Sequence, residues 1–291
     1  MFGNNLKVFF AGAEQLNIAL CANEGGVKYY LFSVFPYIAP RFDIKSFPFI
    51  GGFAPPVLEE IGSHVIMDSG LFTLMFGVEA GKRDRAFLEK WQEALVNFVK
   101  GNKLSCTCVE VDCQKILGVK EAWHFRGKLK NQLPDNRIIN VFHCEDRQKG
   151  LDRLIEFSEY IAISVPELRI VCGKSHREDV YRLACYIKNK KPGIDIHLLG
   201  CTDWEILRRC RFCTSSDSTS WQTSNRYGNI LGRKIRLLKQ EMDMEYTSKA
   251  QELCQRTGIE ANAKKIIWMR NYILSAKLFL DKAVRVVGSQ D

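Results

Sequence analysis

The chain has 291 residues, 46% hydrophobic and 26% charged, with 42 Lys+Arg against 33 Asp+Glu for a formal net charge of +9. That balance excludes a disordered or fibrous chain and supports one large domain, or one domain with an appendage, that favours an acidic partner. No segment approaches 18 uninterrupted apolar residues and Met1–Lys7 lacks a basic, then apolar leader, so a cytoplasmic location without a membrane partner is expected.

Eight strand-like runs follow one another: Val8–Gly12, Lys28–Ser33, Val65–Asp68, Cys108–Asp112, Ile138–His143, Tyr160–Ser164, Ile196–Gly200 and Arg211–Thr214. Helix-period stretches lie between most of them. Arg85–Lys100 puts Phe87, Leu88, Trp91, Leu95, Phe98 and Val99 on one stripe, and Ser175–Asn189 does so with Val180, Leu183, Ala184 and Ile187. Ser175 and Glu178 have capping-box spacing. Residues 36–63 form an insertion rich in Pro and Gly, predicted as a loop over the barrel mouth. Beyond Trp221 helical patterns run at Ile230–Met242, Thr247–Arg256 and Asn262–Val286. Short apolar strands alternating with amphipathic helices predict an α/β fold, a (β/α)8 TIM-type barrel over residues 1–228, with C-terminal helices of 229–291 packed on it.

Most of the eleven cysteines sit in apolar runs and are read as buried reduced thiols. Cys106, Cys108 and Cys113, or the pair Cys210 and Cys213, have no second pair or paired histidines nearby at structural-zinc spacing, so no metal is expected.

Barrels present reactive groups at the C-terminal ends of their strands. The polar residues there are Asp68, Ser69 and Gly70 after strand three, Asp112 ending strand four, His143 ending strand five, Ser164 ending strand six and Asp217 just beyond strand eight. Helix capping or Asx-turns account for any single aspartate; the convergent set points to a site.

These residues carry a resemblance. Asp68-Ser-Gly-Leu-Phe-Thr73 resembles the Asp-Ser-Gly-Gly-Phe-Gln signature of the tRNA-guanine transglycosylase family, whose (β/α)8 barrel exchanges guanine for a 7-deazaguanine. Val109-Glu-Val-Asp112 is similar to the family's strand-four segment ending in a base-recognising Asp. Ile196-His-Leu-Leu-Gly200 is similar to its Tyr-Leu-Met-Gly strand, and Asp217 falls where its nucleophilic Asp follows strand eight. The agreement spans roughly Leu6 to Gly228. The tRNA-modifying members carry a C-terminal Cys-x-Cys-x-x-Cys plus His zinc site, whereas here only Cys254 and no His follows Cys213. Ser218-Thr-Ser-Trp221 also replaces their Pro-Thr-Arg pattern. Both departures make the chain look like the phage and bacterial branch that inserts 7-deazaguanines into DNA, acting in the host cytoplasm if phage-encoded.

The resemblance implies a mechanism. Asp217 attacks C1′ to give a covalent glycosyl ester, and a second displacement restores the configuration. Asp68 protonates departing guanine and then deprotonates the incoming base. Asp112 accepts from the N1–H and exocyclic amine of guanine. Phe72 stacks on the base with Leu199 on its other face, while His143 and Ser164, with nearby amides after Ser69 and Gly70, face its O6 edge or five-membered ring. A lone histidine ending an apolar strand also reads as a satisfied core residue.

The target base must be flipped or unpaired, and cations near the mouth should hold phosphates. Gly228–Asp291 carries 12 Lys+Arg against 7 Asp+Glu, which reads as a phosphate-binding face or as ordinary solvated helix. Arg226 comes first, followed by Arg233, Lys234, Arg236 and Lys239 on the expected helix from Ile230. Lys82, Arg83 and Arg85 form a second patch. Tyr227 and Trp221 are stacking candidates, Trp221 equally a core residue. No cofactor is implied. DNA is the preferred partner, tRNA the alternative, and a partner protein or homodimer stays open. A noncatalytic nucleic-acid-binding barrel subunit is the reading from a different class, and a metal-dependent hydrolase is disfavoured because the first strand lacks His-x-His.

Overall fold

Successive residues of a strand point to opposite faces, so a strand buried on both sides must be apolar on both. This chain meets that demand with two separate cores. Phe9, Leu31, Ile66, Val109 and Val141 meet inside the barrel, while their neighbours Phe10, Phe32, Met67, Cys108 and Phe142 join a larger cluster beneath the helices.

The computed structural model describes residues 6–44, 52–76, 84–222, 229–230, 233–234 and 240–290. Parallel strands β1 (Lys7–Ala11), β2 (Tyr29–Ser33), β3 (His64–Asp68), β4 (Thr107–Val109), β5 (Ile138–Phe142), β6 (Tyr160–Ser164), β7 (Asp195–Leu199) and β8 (Ser215–Ser218) close in sequence order, with β8 returning to β1. The fold is the (β/α)8 barrel that the alternation predicts. Among the described residues no helix is long and apolar enough to cross a membrane.

The helix Arg85–Gly101 shows the local logic. Asp84 caps it by accepting from the Phe87 amide at 2.8 Å, and Leu88, Trp91, Leu95 and Val99 are buried at helical spacing. Each such side chain contributes about 1.5–3 kcal/mol relative to exposure.

Four expectations are corrected. The eighth strand is Ser215–Ser218, and the more apolar Arg211–Thr214 is a turn following the helix Trp204–Arg209. Barrel closure overrides propensity there: a gap between β7 and β1 recruits a Ser-rich segment of low intrinsic strand preference. In the 36–63 insertion, Phe35–Ile38 and Ala54–Glu60 are helices and Ala39–Phe42 is a 3-10 turn, each with Pro in its first turn. Proline there supplies its fixed φ at no hydrogen-bond cost. The helix Ala54–Glu60 buries Ala54, Pro55 and Leu58 and leads into β3; residues 45–51 lie outside the described set. Ser175 does not form a capping box: its one hydroxyl proton is shared between the Cys172 carbonyl at 3.0 Å and the Asp179 carboxylate at 2.6 Å. Finally, Asn229–Ile230 and Arg233–Lys234 pair as two short antiparallel strands, β9 and β10, where a helix is expected, and the next helix begins at Gln240.

The C-terminal helix Ala263–Val287 covers the outside of β1. Phe10 meets Trp221 at 5.5 Å and Phe279 at 5.3 Å, and Gln290 accepts from the Val8 amide at 2.8 Å. Tyr246 and Leu253 from the helix Gln240–Thr257 join Cys21 from Leu16–Glu24 and Met269 and Ile273 in a third cluster.

Candidate active site

Inward-facing positions at the C-terminal ends of β3 and β8 bring Asp68 and Asp217 to one mouth. Asp68 ends β3 opposite Ser33 of β2, and Asp217 lies inside β8 opposite Phe9 of β1, within the strand where a place just beyond it is expected.

Glycine geometry fixes both carboxylates. Asp68 Oδ1 accepts from the Gly70 amide at 2.8 Å, and Gly70 has φ +71° with Phe35 atoms 2.7 Å from where a Cβ would stand. Only glycine combines that backbone with that approach. Ser69 is buried, and its carbonyl accepts from Trp91 Nε1 at 2.8 Å, tying the turn to the outer helix. On the other side Asp217 Oδ1 accepts from the Gly200 amide at 2.6 Å, with Gly200 at φ +63° against Pro166. Asp217 is 7% exposed and His197 Nε2 stands 3.2 Å from the same oxygen.

Burial raises the Asp68 carboxyl to about 6; the Gly70 amide opposes this and the charges of Asp217 and Asp112 add to it. A carboxyl in that range exchanges its proton near neutrality. Glu14, just beyond β1, is a further carboxyl of this flank. Burial raises it too, against hydrogen bonds that include the Ser33 amide at 3.2 Å, with the Asp68 charge adding.

The β4–β6 flank is different. His143 Nε2 lies 2.7 Å from Asp112 Oδ1 and its Nδ1 lies 2.9 Å from Glu167 Oε2. Burial disfavours the charged ring, yet the hydrogen bonds it donates to both carboxylates outweigh this and push His143 up to about 10. The imidazolium is therefore sandwiched between two carboxylates. Glu167, lowered by that ring in spite of its burial, also accepts from the Cys144 amide and pairs with Lys115 at 3.4 Å.

The structure redistributes several expected roles. Both His143 nitrogens are taken, so it acts on a base only through Asp112. Asp112 sits three residues past the end of β4, with a 29% exposed side chain and Oδ1 committed to His143. Ser164 caps the helix Val165–Cys172, its Oγ accepting from the Glu167 amide at 3.3 Å, which removes that lone pair from base contact. Phe72 is 75% exposed two residues past Gly70, and Leu199 packs at the top of the inner cluster. Trp221 is fully buried and donates to the Ala11 carbonyl at 2.9 Å, so it is core and not a stacking platform. Arg85 pairs with Glu89 and Glu121. Lys82, Arg83, Arg226, Tyr227, Arg236 and Lys239, and the side chains of Arg233 and Lys234, lie outside the described residues, and the backbone at Arg233–Lys234 is extended where a helix is expected.

Glu14, Glu167 and His197 are missing from the sequence-derived set. Glu14 is a carboxylate just beyond strand one, near the same strand ends as Asp68, and Ser164-Val-Pro-Glu167 has capping-box spacing. His197 carries a weaker signal, a polar residue at an inward position of an otherwise apolar strand. All eleven thiols are free and eight are buried, and no group of three or more metal-ligating side chains is assembled among the described residues.

Next to Gly200 on the same face a groove of about 820 Å³ is lined by Arg169, Arg177, Asp203 and Trp204, with Arg177 held by Asp203 at 2.7 Å and Glu205 at 2.8 Å. The chain matches no protein-family model, and a search of curated proteins returns no match.

Proposed function

We propose that this chain is a base-exchanging transglycosylase that replaces guanine in a nucleic acid, DNA in preference to tRNA, by a 7-deazaguanine through a covalent Asp217 ester. The observation that carries this reading is the pairing at one barrel mouth of two unequal carboxyls, Asp217 fixed by the Gly200 amide and Asp68 raised to about 6.

Breaking an N-glycosidic bond while keeping the sugar needs a nucleophile on one face and a proton donor for the base. Asp217 Oδ1 is occupied by the Gly200 amide, so Oδ2 attacks C1′ as the C1′–N9 bond breaks. Asp68 supplies the proton that neutralises departing guanine, then removes one from the incoming base as that nitrogen displaces Asp217. The exchange is proton-neutral overall, which suits one carboxyl working both ways. Asp112, oriented by His143, offers an acceptor to the donor edge of guanine, and Phe72 offers an exposed ring for stacking. The preference for DNA rests on the resemblance of Asp217-Ser-Thr-Ser-Trp221 to the DNA-modifying branch.

Incubating the protein with guanine-labelled DNA or tRNA and candidate 7-deazaguanines tests this directly. Label should leave DNA faster than tRNA, and denaturing electrophoresis should trap a protein–DNA adduct that Asp217→Asn cannot form. Exchange at the wild-type rate in that variant would refute the nucleophile assignment, and exchange on tRNA alone would overturn the polymer.

A further inference from the structure

A chain of polar groups runs through the barrel interior beneath Asp217. Tyr160 OH lies 2.6 Å from Ser215 Oγ, Ser215 Oγ hydrogen-bonds His197 Nδ1, and His197 Nε2 stands 3.2 Å from Asp217 Oδ1. The four side chains come from β6, β7 and β8, in register through Ala162↔His197 and His197↔Ser215. His197 and Ser215 are at most 1% exposed. Polar groups so deep in an otherwise apolar cluster carry a desolvation cost that structure alone does not require, since the layers of such barrels are ordinarily filled by branched apolar side chains.

We infer that His197 is a positioning residue for Asp217, held by Ser215 and Tyr160 in the neutral tautomer that carries its proton on Nε2. The inference rests on the proposed role of Asp217 as nucleophile.

Direction in the chain follows from donors and acceptors. A bare Nε2 would turn its lone pair on the Asp217 carboxylate oxygen 3.2 Å away, and this sets the order of donors, with Tyr160 OH donating to Ser215 Oγ. Ser215 then spends its single proton on His197 Nδ1, which must be bare to accept it. The remaining ring proton is on Nε2, a buried atom with no well-aligned hydrogen-bond partner among the described residues and with Asp217 Oδ1 in reach. Oδ1 thus faces two donors, the Gly200 amide and the imidazole, and the carboxylate cannot rotate freely. Oδ2 is left as the attacking oxygen. When the second base displaces the ester, the same donors receive the charge returning to the carboxylate, so the effect belongs to the chemical steps and not to polymer binding.

The test has one arm that does not depend on activity. The chain has five histidines, so ring ¹⁵N spectra of histidine-labelled protein are tractable, and His197→Gln assigns the His197 signals by their loss. In the active protein the spectrum should show a protonated Nε2 and a bare Nδ1. A protonated Nδ1, a doubly protonated ring or fast tautomer averaging would overturn the inference. In the kinetic arm, Ser215→Ala should lower kcat for base exchange about tenfold, the worth of one hydrogen bond, with KM unchanged. Ser215→Thr, which keeps the hydroxyl, should restore it. Loss of kcat in both variants, an unchanged kcat in Ser215→Ala, or a change confined to KM would count against the positioning role. If no polymer supports exchange but the spectrum shows the stated tautomer, the transglycosylase reading falls while the geometry of the relay stands. Normal exchange with the opposite tautomer sinks the relay alone.

Discussion

Asp68 and Asp112 are both carboxylates at or beyond the end of a barrel strand, on the neighbouring strands β3 and β4 of one mouth, yet their surroundings differ in kind. Asp68 is half-buried beside other carboxylates and accepts one backbone amide, and the loss of water raises its carboxyl to about 6. Asp112 is hydrogen-bonded to the buried His143, whose ring is raised to about 10 between Asp112 and Glu167. One flank passes a proton near neutrality, and the other holds fixed charge of both signs over the same range. A site that must move a proton on and off a base while recognising its donor edge needs both behaviours, and the barrel separates them by strand.

The largest effect should come from the nucleophile. Asp217→Asn keeps the Gly200 contact and should lower base exchange by about ten-thousand-fold or more, with no trapped adduct. A loss no larger than that of any other mouth residue would erase the proposed division of labour.

Asp68→Asn comes next and separates chemistry from stability. Exchange should fall about a thousandfold, as expected for loss of a general acid–base group. The folded carboxyl is raised from 3.8 to about 6, so its ionisation opposes folding. That penalty is absent below the unfolded value, grows between the two values and is constant above the folded one. Asn should therefore stabilise the protein by up to about 3 kcal/mol at neutral pH, read as a rise in Tm relative to wild type at pH 8 and little change at acid pH. In wild type, single-turnover adduct formation should fall as pH rises through about 6, because the first step needs protonated Asp68, and the variant should lose this dependence.

The neighbouring β4–β6 group should respond with the opposite sign. His143→Leu leaves Asp112 and Glu167 without their shared cation and should destabilise by about 3 kcal/mol in chemical denaturation. Because the His143 ring is raised from 6.5 to about 10, its contribution is complete below the ordinary value and is lost as pH rises through the folded one. The Tm difference between wild type and variant should therefore shrink toward alkaline pH. A constant difference would show that the ring contributes by packing alone.

The smallest effect is expected at Asp112 itself. Asp112→Asn preserves shape but swaps an acceptor for a donor toward the guanine edge, and should raise KM about tenfold with a lesser change in kcat. Equal losses in both parameters would move Asp112 from recognition to chemistry.

The alternation of apolar strands and amphipathic helices made the barrel legible before any coordinate, because burial on two faces leaves a two-sided apolar strand as its trace. Asp68 and Asp217 were legible for a related reason, carboxylates where such strands give way to small polar residues. β8 was not, since Ser215–Ser218 has no apolar signature and becomes a strand only because β1 and β7 leave it one place in a closed sheet. The 36–63 insertion misled because proline breaks a helix interior but starts a helix well, and composition does not say which position it occupies.

What the sequence determined by itself was therefore everything periodic: the number and order of most strands, the outer helices, and the places where polar residues must emerge. Tertiary structure alone decided which of those residues face one another. Glu167 reaches back across 24 positions to the ring of His143, and His197 joins Ser215 across 18. Such pairings carry no local signature, because closing a barrel sets spatial neighbours by strand register and not by spacing along the chain.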